Sequence, residues 1–399
     1  MKRFDFQNKS LPFLGLGAMR LPTTEDGSID EQKTAEMVAY AIENGVNYFD
    51  TAYPYHNGQS EIVMGRILKS YPRESFFLAT KYPGHQSAES YDPSVIFEHQ
   101  LKKCGVDYFD FYLLHNVNEN SIKTYKNEKW GIIDYFREQK KQGRIRHLGF
   151  SSHGNVENLR EFLDYCGNDM EFCQIQLNYL DWTLQNAKAK CELLSERNIP
   201  VWVMEPVRGG KLVNLPKESE KMLKDLRNSE TNAAWCFRFL QTVPEVSLVL
   251  SGMSNMDQLV ENINTCSDPK PLTEKEFSAL MSVAEVLKNS IPCTACGYCL
   301  EGCPVGINIP TMLEYYNELR ISPSLLLSMR IEATPEDKRP NNCIGCNACA
   351  SICPQNLDIP KHLSDFAEKL KEVPSWTEIS RQRTEAAKKI RESEMNKDK

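Results

Sequence analysis

The sequence lacks any long apolar run. No segment stays apolar for about 18 residues, and the first thirty residues contain no cationic stretch followed by an apolar one. The sequence also lacks an excess of basic residues, since 47 Lys and Arg stand against 54 Asp and Glu and give a net charge of −7. A protein that binds a phosphate backbone needs a basic face. We therefore expect a cytoplasmic protein that binds neither a membrane nor nucleic acid.

A G-x-G-x-x-G motif between a first strand and helix is also missing, because Gly15-Leu16-Gly17 stands alone. This absence disfavours a doubly wound open sheet, which is the alternative fold. Between about residues 12 and 290, short β-rich runs alternate with amphipathic stretches, and eight such units predict a closed (β/α)8 TIM barrel. The predicted strands are Phe13 to Leu16, Asn47 to Phe49, Phe76 to Thr80, Phe109 to Leu114, Arg146 to Phe150, Phe172 to Gln176, Val201 to Met204 and Ser247 to Leu250.

Cysteine, in contrast, is abundant, and eight of the 14 cysteines lie in an internal repeat. Residues 293–310 read CTACGYCLEGCPVGINIP, and residues 343–360 read CIGCNACASICPQNLDIP. Each contains C-x2-C-x2-C-x3-C-P, in which three thiolates hold one [4Fe-4S] cluster and the fourth cysteine serves the other cluster. The predicted ligand sets are Cys293, Cys296, Cys299 with Cys353, and Cys343, Cys346, Cys349 with Cys303. Structural zinc is the alternative, although zinc sites take their ligands as separated pairs.

The segment between the two repeats looks helical, so a small, mainly helical dicluster ferredoxin domain is expected to follow the barrel. The expected organisation is a barrel over residues 1–288, the dicluster domain over residues 289–375, and a charged tail over residues 376–399. Six further cysteines stand singly and are expected to be buried structural thiols. They are Cys104, Cys166, Cys173, Cys191, Cys236 and Cys266.

Polar residues mark the ends of the predicted barrel strands, where the active site of such a barrel lies. They are Asp50, Lys81, His115, Ser151, Ser152 and His153, with Gln174 on the sixth strand. The loops after strands 7 and 8, which often bind phosphate, read EPVRGGKL and SGMSNMDQLVEN. Arg208 and Lys211 offer positive charge there, and Ser254 precedes a helix whose amides could meet a phosphate. Both loops therefore suit a dinucleotide.

Several motifs together resemble the aldo-keto reductase family over about residues 10 to 290. They are D-T-A-x-x-Y-x-x-G-x-S-E from Asp50, the lysine after Leu-Ala-Thr, the Leu-Leu-His strand ending and the segment GRIRHLGFSS. The resemblance implies that Tyr55 protonates a carbonyl oxygen while hydride arrives from a nicotinamide. It also implies that Lys81, held by Asp50, lowers the pKa of Tyr55. His115 would orient the carbonyl by a hydrogen bond.

The resemblance extends to the cofactor, through the potassium-channel β-subunit branch of the family. Ser151, Ser152 and Gln174 would hold the nicotinamide carboxamide. The residues expected at the adenosine end are Gly252, Ser254, Gln258, Glu261 and Asn262. Two features depart from the pattern: Met204 stands where many relatives have a tyrosine, and residues 251–262 contain no Lys or Arg for a 2′-phosphate. The choice between NADP and NAD therefore stays open.

The leading hypothesis is an oxidoreductase that acts on a small carbonyl or alcohol and exchanges electrons through its clusters with ferredoxin or another carrier. Nicotinamides move two electrons as hydride whereas a cubane cluster takes one, so a flavin in the barrel mouth is a further option. One alternative is a redox sensor or electron-transfer adaptor with a nucleotide-binding barrel. Another is that the clusters only stabilise a domain that has little core of its own.

Overall fold

A computed structural model describes residues 1–86, 90–288, 290–321 and 325–373, together with residues 375, 377, 378 and 381. The chain divides into two compact units, Met1–Leu287 and a second unit that starts at Lys288. Most of the charged tail expected over residues 376–399 lies outside the described residues.

The first unit is a closed barrel of eight parallel strands, as the strand count predicted. The strands follow one another around the barrel in chain order, and the last pairs with the first. This order brings the carboxyl ends of all eight strands to one mouth. The barrel strands are β3 (Leu14–Gly17), β4 (Tyr48–Asp50), β5 (Phe77–Tyr82), β6 (Phe109–Val117), β7 (Ile145–Ser152), β8 (Cys173–Gln176), β9 (Val201–Met204) and β10 (Val246–Ser251).

Helices connect the strands and pack their apolar faces on the barrel. Their ends follow local rules, since Asp30 caps the first helix by accepting a hydrogen bond from the Lys33 backbone N–H at 3.0 Å. The third helix begins at a proline and ends at Gly105, which has a φ of +64°. The helices of this unit are α1 (Glu31–Glu43), α2 (Gln59–Leu68), α3 (Pro93–Cys104), α4 (Ile122–Tyr125), α5 (Ile132–Lys141), α6 (Val156–Cys166), α7 (Asp181–Leu184), α8 (Ala187–Glu196), α9 (Lys217–Leu226), α10 (Asn232–Thr242), α11 (Met256–Ser267) and α12 (Glu274–Leu287).

A β-hairpin that the sequence pattern did not predict precedes the barrel. It consists of β1 (Arg3–Phe6) and β2 (Lys9–Pro12), which pair antiparallel. The Phe6 ring contacts the rings of Phe111 and Trp202, with centroids 5.8 and 5.2 Å away. These aromatic residues belong to a buried cluster inside the barrel. The hairpin therefore covers the barrel interior, so that an active site has to use the opposite end, where the strands finish.

The second unit is helical, as expected for its repeat. Its buried side chains form a core of their own, which includes Cys299 and Cys349 beside Leu313, Tyr316 and Phe366. The Tyr316 and Phe366 rings stack with centroids 5.2 Å apart. The helices are α13 (Tyr298–Glu301), α14 (Ile309–Ile321), α15 (Leu325–Ala333), α16 (Ala348–Ser351) and α17 (Ile359–Leu370).

The six cysteines that stand singly in the sequence are all buried, which confirms their interpretation as interior thiols. Within the part of the chain that the structure describes, no helix combines the length and the apolar character needed to cross a membrane.

Candidate active site

A buried lysine connects three groups at the barrel mouth. The Lys81 Nζ donates to Asp50 Oδ1 at 2.5 Å and to the Thr51 carbonyl at 2.7 Å. It also lies 3.5 Å from the hydroxyl of Tyr55. The lysine is 1% exposed and the tyrosine 9% exposed. An ammonium group therefore stands beside the phenol, as the sequence predicted.

Strand register and a tight turn produce this arrangement. Asp50 is the last residue of β4 and pairs with Ala79 of β5, two positions before Lys81. Tyr55 lies in the turn after β4, where its backbone N–H donates to the Ala52 carbonyl at 3.1 Å. Because β4 and β5 are adjacent and parallel, Asp50 and Lys81 come together at the mouth. The turn after β4 brings the Tyr55 hydroxyl next to Lys81.

Burial is the largest influence on the pKa values of Asp50, Lys81 and Tyr55. It raises the pKa of Asp50 and lowers that of Lys81, while their mutual attraction opposes both shifts. Burial also raises the pKa of Tyr55 well above its ordinary value, and the carboxylates of Asp50 and Glu205 raise it further. The expectation that a cation lowers this pKa is therefore wrong for the protein alone, because loss of water outweighs the nearby charge. Tyr55 therefore carries its proton at neutral pH.

Histidines occupy the neighbouring part of the mouth. The His115 ring on β6 lies 6.0 Å from the Tyr55 ring and 4.5 Å from the His85 ring, measured between centroids. Burial lowers the pKa of His115, and it lowers the pKa of His85 to about 4 and that of His153 to about 3. All three imidazoles are thus neutral near pH 7, so they can both donate and accept hydrogen bonds.

Some residues of this mouth were missed in the sequence. His85 follows the end of β5, Glu205 directly follows β9, and Arg20 lies shortly after β3. The rule that active-site residues follow barrel strands would have found Glu205, which is the first residue after Met204. Arg20 and Glu205 both influence the charge state of Tyr55.

The residues expected to hold a carboxamide lie side by side on the next two strands. Ser151 and Ser152 of β7 pair with Gln174 and Ile175 of β8. The Ser151 hydroxyl accepts a hydrogen bond from the Asn116 backbone N–H at 2.8 Å. In contrast, Ser152 Oγ and Gln174 Oε1 are buried without a hydrogen-bond partner. Such atoms are costly to leave unpaired, so a ligand with amide-type donors and acceptors fits this position.

The loop after β9 contains residues predicted to contact a cofactor. Met204 is half-buried at the end of β9, and Lys211 is half-buried further along the loop. Arg208 is 1% exposed, and its Nε lies 3.1 and 3.0 Å from the two carboxylate oxygens of Asp181. The guanidinium therefore holds the loop against the barrel as part of a buried ion pair.

The loop after β10 ends at the amino terminus of α11, which Asn255 caps by accepting from the Gln258 N–H at 2.9 Å. The Gln258 side chain in turn accepts from the Ser254 N–H at 2.8 Å. Gly252 lies against the side chain of Arg20, where a Cβ would come within 3.2 Å of it. Further along the helix, Glu261 accepts from the Thr231 hydroxyl, and Asn262 donates to the Ser251 hydroxyl at 3.2 Å. The residues expected at the adenosine end thus share one helix and the turn before it.

In the second unit, the cysteines surround two separate cavities. One is lined by Cys343, Cys346 and Cys349 together with Cys303, and the other by Cys293, Cys296 and Cys299 together with Cys353. Among the residues that the structure describes, none that lines either cavity is charged. Burial raises the pKa of Cys299 to about 12, and the nearby thiols, including that of Cys353, contribute. Each cavity therefore combines three cysteines of one repeat with the fourth cysteine of the other.

The lining of these cavities fits iron-sulfur clusters. Four thiols around a common space match the ligands of a [4Fe-4S] cluster. Backbone donors also reach two of the sulfurs, since the Ala295 N–H donates to Cys293 Sγ and the Ile307 N–H to Cys303 Sγ, both at 3.4 Å. Such bonds stabilise the negative charge of cluster sulfurs.

Comparison with protein families matches both units. Residues 13–285 match the model of the Aldo/keto reductase family, and residues 292–357 match the model of the 4Fe-4S dicluster domain. The chain therefore carries an iron-sulfur domain of this kind, and the matched ranges follow the two units of the structure.

Individual relatives match the barrel. An oxidoreductase of Bacillus subtilis, YqkF, is 28% identical over 306 residues, which cover 67% of this chain and 91% of the relative. The NADH-specific methylglyoxal reductase of Escherichia coli is 25% identical over 306 residues, which cover 66% and 91%. Among solved structures, the holo form of aldo-keto reductase AKR11C1 from Bacillus halodurans matches with a TM-score of 0.58 and 25% identity, over 71% of this chain and 96% of that one.

Proposed function

The chain belongs to the aldo/keto reductase family, and on that premise we propose that its barrel transfers hydride between a nicotinamide cofactor and a small carbonyl or alcohol. The observation that carries this proposal is the contact between Lys81 and Tyr55, with Asp50 beneath them. It places a protonated phenol next to a buried cation, which is what proton transfer to a carbonyl oxygen requires.

A bound nicotinamide supplies the hydride in this reaction. As the new C–H bond forms at the carbonyl carbon, the π electron pair moves to the oxygen, and Tyr55 donates its proton there. The resulting phenolate is stabilised by Lys81, whose Nζ is 3.5 Å away, and takes a new proton from solvent. His115 holds the carbonyl oxygen by a hydrogen bond. Alcohol oxidation reverses these steps.

The cofactor would bind across the mouth. The unpaired Ser152 Oγ and Gln174 Oε1 suit the nicotinamide carboxamide, with Ser151 beside them. The amino terminus of α11 suits a phosphate, because its backbone N–H groups point outward and its dipole favours negative charge. Both NAD and NADP remain within the proposal. The Escherichia coli relative is named NADH-specific, and residues 251–262 of this chain contain no Lys or Arg. The comparisons lend no support to a flavin.

We further propose that two [4Fe-4S] clusters exchange single electrons with a ferredoxin-like carrier. The two cavities support crossed ligation, with Cys303 and Cys353 each serving the cluster of the other repeat. A structural role for the clusters is the second candidate, because Cys299 and Cys349 belong to the small core of this unit.

Replacing Tyr55 with phenylalanine tests the barrel reaction. The variant should reduce methylglyoxal at least about a hundredfold more slowly than the wild type at saturating cofactor, because it cannot donate the proton. Nucleotide affinity and iron content should not change. Tyr53→Phe is the matched control, since the Tyr53 hydroxyl is 3.1 Å from His99 Nδ1 and outside the proposed mechanism. Near-normal turnover by Tyr55→Phe would remove this residue from the reaction.

A further inference from the structure

Three histidines stand at neighbouring positions around the barrel mouth. His85 comes shortly after the end of β5, His115 lies on β6, and His153 directly follows β7. These three strands are neighbours in the barrel. The His115 ring lies 4.5 Å from the His85 ring and 6.0 Å from the Tyr55 ring, measured between centroids. This histidine cluster therefore extends from the candidate proton donor along one side of the mouth.

A buried tyrosine fixes the segments that carry two of these rings. The Tyr125 hydroxyl donates to the His115 carbonyl at 2.6 Å and lies 3.3 Å from the carbonyl of Tyr82, the last residue of β5. Gly84 packs so closely on the Tyr125 ring that a Cβ at this position would lie 2.7 Å from a ring atom. The turn that leads to His85 is therefore built against the same side chain that holds His115.

The third histidine is tied to the same strand. The His153 backbone N–H donates to the carbonyl of Val117, the last residue of β6, at 3.1 Å. Nδ1 of His115 and Nδ1 of His153 are both buried and have no hydrogen-bond partner among the described residues. Leaving such atoms unpaired is costly, so these positions suit a ligand with polar groups.

The charge state of the cluster limits what that ligand can be. Burial lowers the pKa of all three rings, so the imidazoles are neutral near pH 7. A neutral imidazole has one N–H donor and one acceptor nitrogen. It offers no positive charge that would attract a carboxylate or a phosphate. A hydroxyl group, which both donates and accepts, matches these rings.

We infer that the histidine cluster is a specificity-determining subsite that binds a hydroxyl group on the carbon next to the substrate carbonyl. This inference rests on the proposed function, and it assigns hydroxyaldehydes and hydroxyketones as the substrate class. In the proposed reaction His115 donates to the carbonyl oxygen, so its other nitrogen is an acceptor, and the ring of His85 stands beside it. A hydroxyl group on the next carbon satisfies such atoms, whereas a methyl group leaves them unpaired.

Two aldehydes of nearly equal shape test this subsite. 2-Hydroxypropanal carries a hydroxyl group where 2-methylpropanal carries a methyl group. Hydride from the reduced nicotinamide and a proton from Tyr55 convert the first to propane-1,2-diol and the second to 2-methylpropan-1-ol, and the nicotinamide is oxidised in both cases. We compare kcat/KM for the two aldehydes on the complete, cluster-loaded protein under anaerobic conditions. Wild type should prefer 2-hydroxypropanal by at least about tenfold.

Substitutions in the cluster should remove this preference. His85→Phe and His153→Phe should each lower the ratio of the two kcat/KM values by roughly tenfold, because they keep an aromatic ring but lose its nitrogens. His85→Gln keeps a donor and an acceptor and should restore most of the ratio. Structural damage alone would lower kcat/KM for both aldehydes and leave their ratio unchanged. His99→Phe is the matched control, since His99 is exposed and lies 3.1 Å from the Tyr53 hydroxyl, outside the cluster.

The outcomes separate this inference from the proposed function. A constant ratio in one Phe variant overturns the assignment of that histidine, and a constant ratio in both overturns the subsite. If the variants fail to fold, wild type decides, because a wild-type protein without preference for 2-hydroxypropanal overturns the inference. Wild type that reduces methylglyoxal but neither of these aldehydes also overturns it. Wild type that reduces none of the three with NADH or NADPH would instead reject the proposed function, and the inference with it.

Discussion

The barrel and the cluster unit stabilise their polar interiors in different ways. In the barrel, buried charges meet partners within the protein: Lys81 pairs with Asp50 and Arg208 with Asp181, and none of these side chains is more than 4% exposed. In the cluster unit, four thiols line each of two cavities, and Cys299 and Cys349 among them are buried. We therefore expect the barrel to assemble its candidate active site before any ligand binds, and the cluster unit to depend on the group that its cysteines hold.

Iron removal should produce the largest difference in stability between the two units. Chelation under reducing conditions is expected to abolish the protection of backbone amides in the cluster unit, because its described core of fifteen buried residues includes Cys299 and Cys349 and packs against four further cluster cysteines. The barrel amides should keep their protection and serve as the internal control. Hydrogen exchange followed by mass spectrometry measures both in one sample. Persistent protection around α14 and α17 without iron would show that the cluster unit folds without its clusters.

A smaller but still large effect is expected from breaking one buried pair in the barrel. Lys81→Met leaves Asp50 without its cation in an interior position, which typically costs about 3–5 kcal/mol of unfolding free energy. The pKa of Asp50 is already raised by burial and should rise further without Lys81. A raised folded-state pKa means that the penalty grows as pH increases above the unfolded value near 4 and shrinks as pH falls. Urea unfolding at two pH values measures this dependence.

Lys103→Met provides the comparison for that variant. Lys103 Nζ lies 2.6 Å from Glu61 Oε2 in a second buried pair, with side chains 7% and 0% exposed. Its loss should also destabilise the barrel, but it should leave the rate of methylglyoxal reduction within a few fold of wild type. Equal losses of turnover in both variants would mean that Lys81 acts only through stability.

The sequence predicted the fold well because its signals were repeated. Eight strand-like runs separated by helical stretches allow one simple closed arrangement, and each of the eight barrel strands overlaps a predicted one. The proximity of Asp50 and Lys81 could be anticipated because they stand at the ends of adjacent strands, where parallel pairing brings them together. The offset of 50 residues between Cys293 and Cys343 likewise indicated that the second unit consists of two matching halves.

What could not be predicted depends on contacts between distant residues. The hairpin that begins at Arg3 is too short to show a clear alternation, and its position depends on the packing of Phe6 against Trp202. The pairing of Arg208 with Asp181 joins the loop after β9 to the first residue of α7. The pKa of Tyr55 depends on how much water is excluded around it. A local motif identifies the residues near Tyr55 but does not show how deeply they are buried. The sequence therefore predicted a lowered pKa for Tyr55, whereas burial raises it.

The smallest predicted effect concerns the two halves of the cluster unit, which differ in exposure although their sequences align. Thr294 is 1% exposed, whereas Ile344 at the equivalent position is 67% exposed. Cys296 is half-buried and Cys346 exposed. Reduction of a [4Fe-4S] cluster adds negative charge, which water stabilises more strongly than a protein interior does. The cluster of Cys343, Cys346 and Cys349 should therefore have the less negative potential and be reduced first.

Changing Ile344 to serine tests this difference directly. Removal of the apolar side chain admits more water to the exposed Cys346 sulfur, so the midpoint potential of the second-repeat cluster should rise by a few tens of millivolts while the other potential stays fixed. Electron paramagnetic resonance during a redox titration resolves the two steps. Val95→Ser is the control, because Val95 is 63% exposed on α3 of the barrel and should change neither potential. If Ile344→Ser shifts only the more negative step, the cluster beside the exposed Cys346 is the one that is harder to reduce. Exposure would then not set the order of reduction.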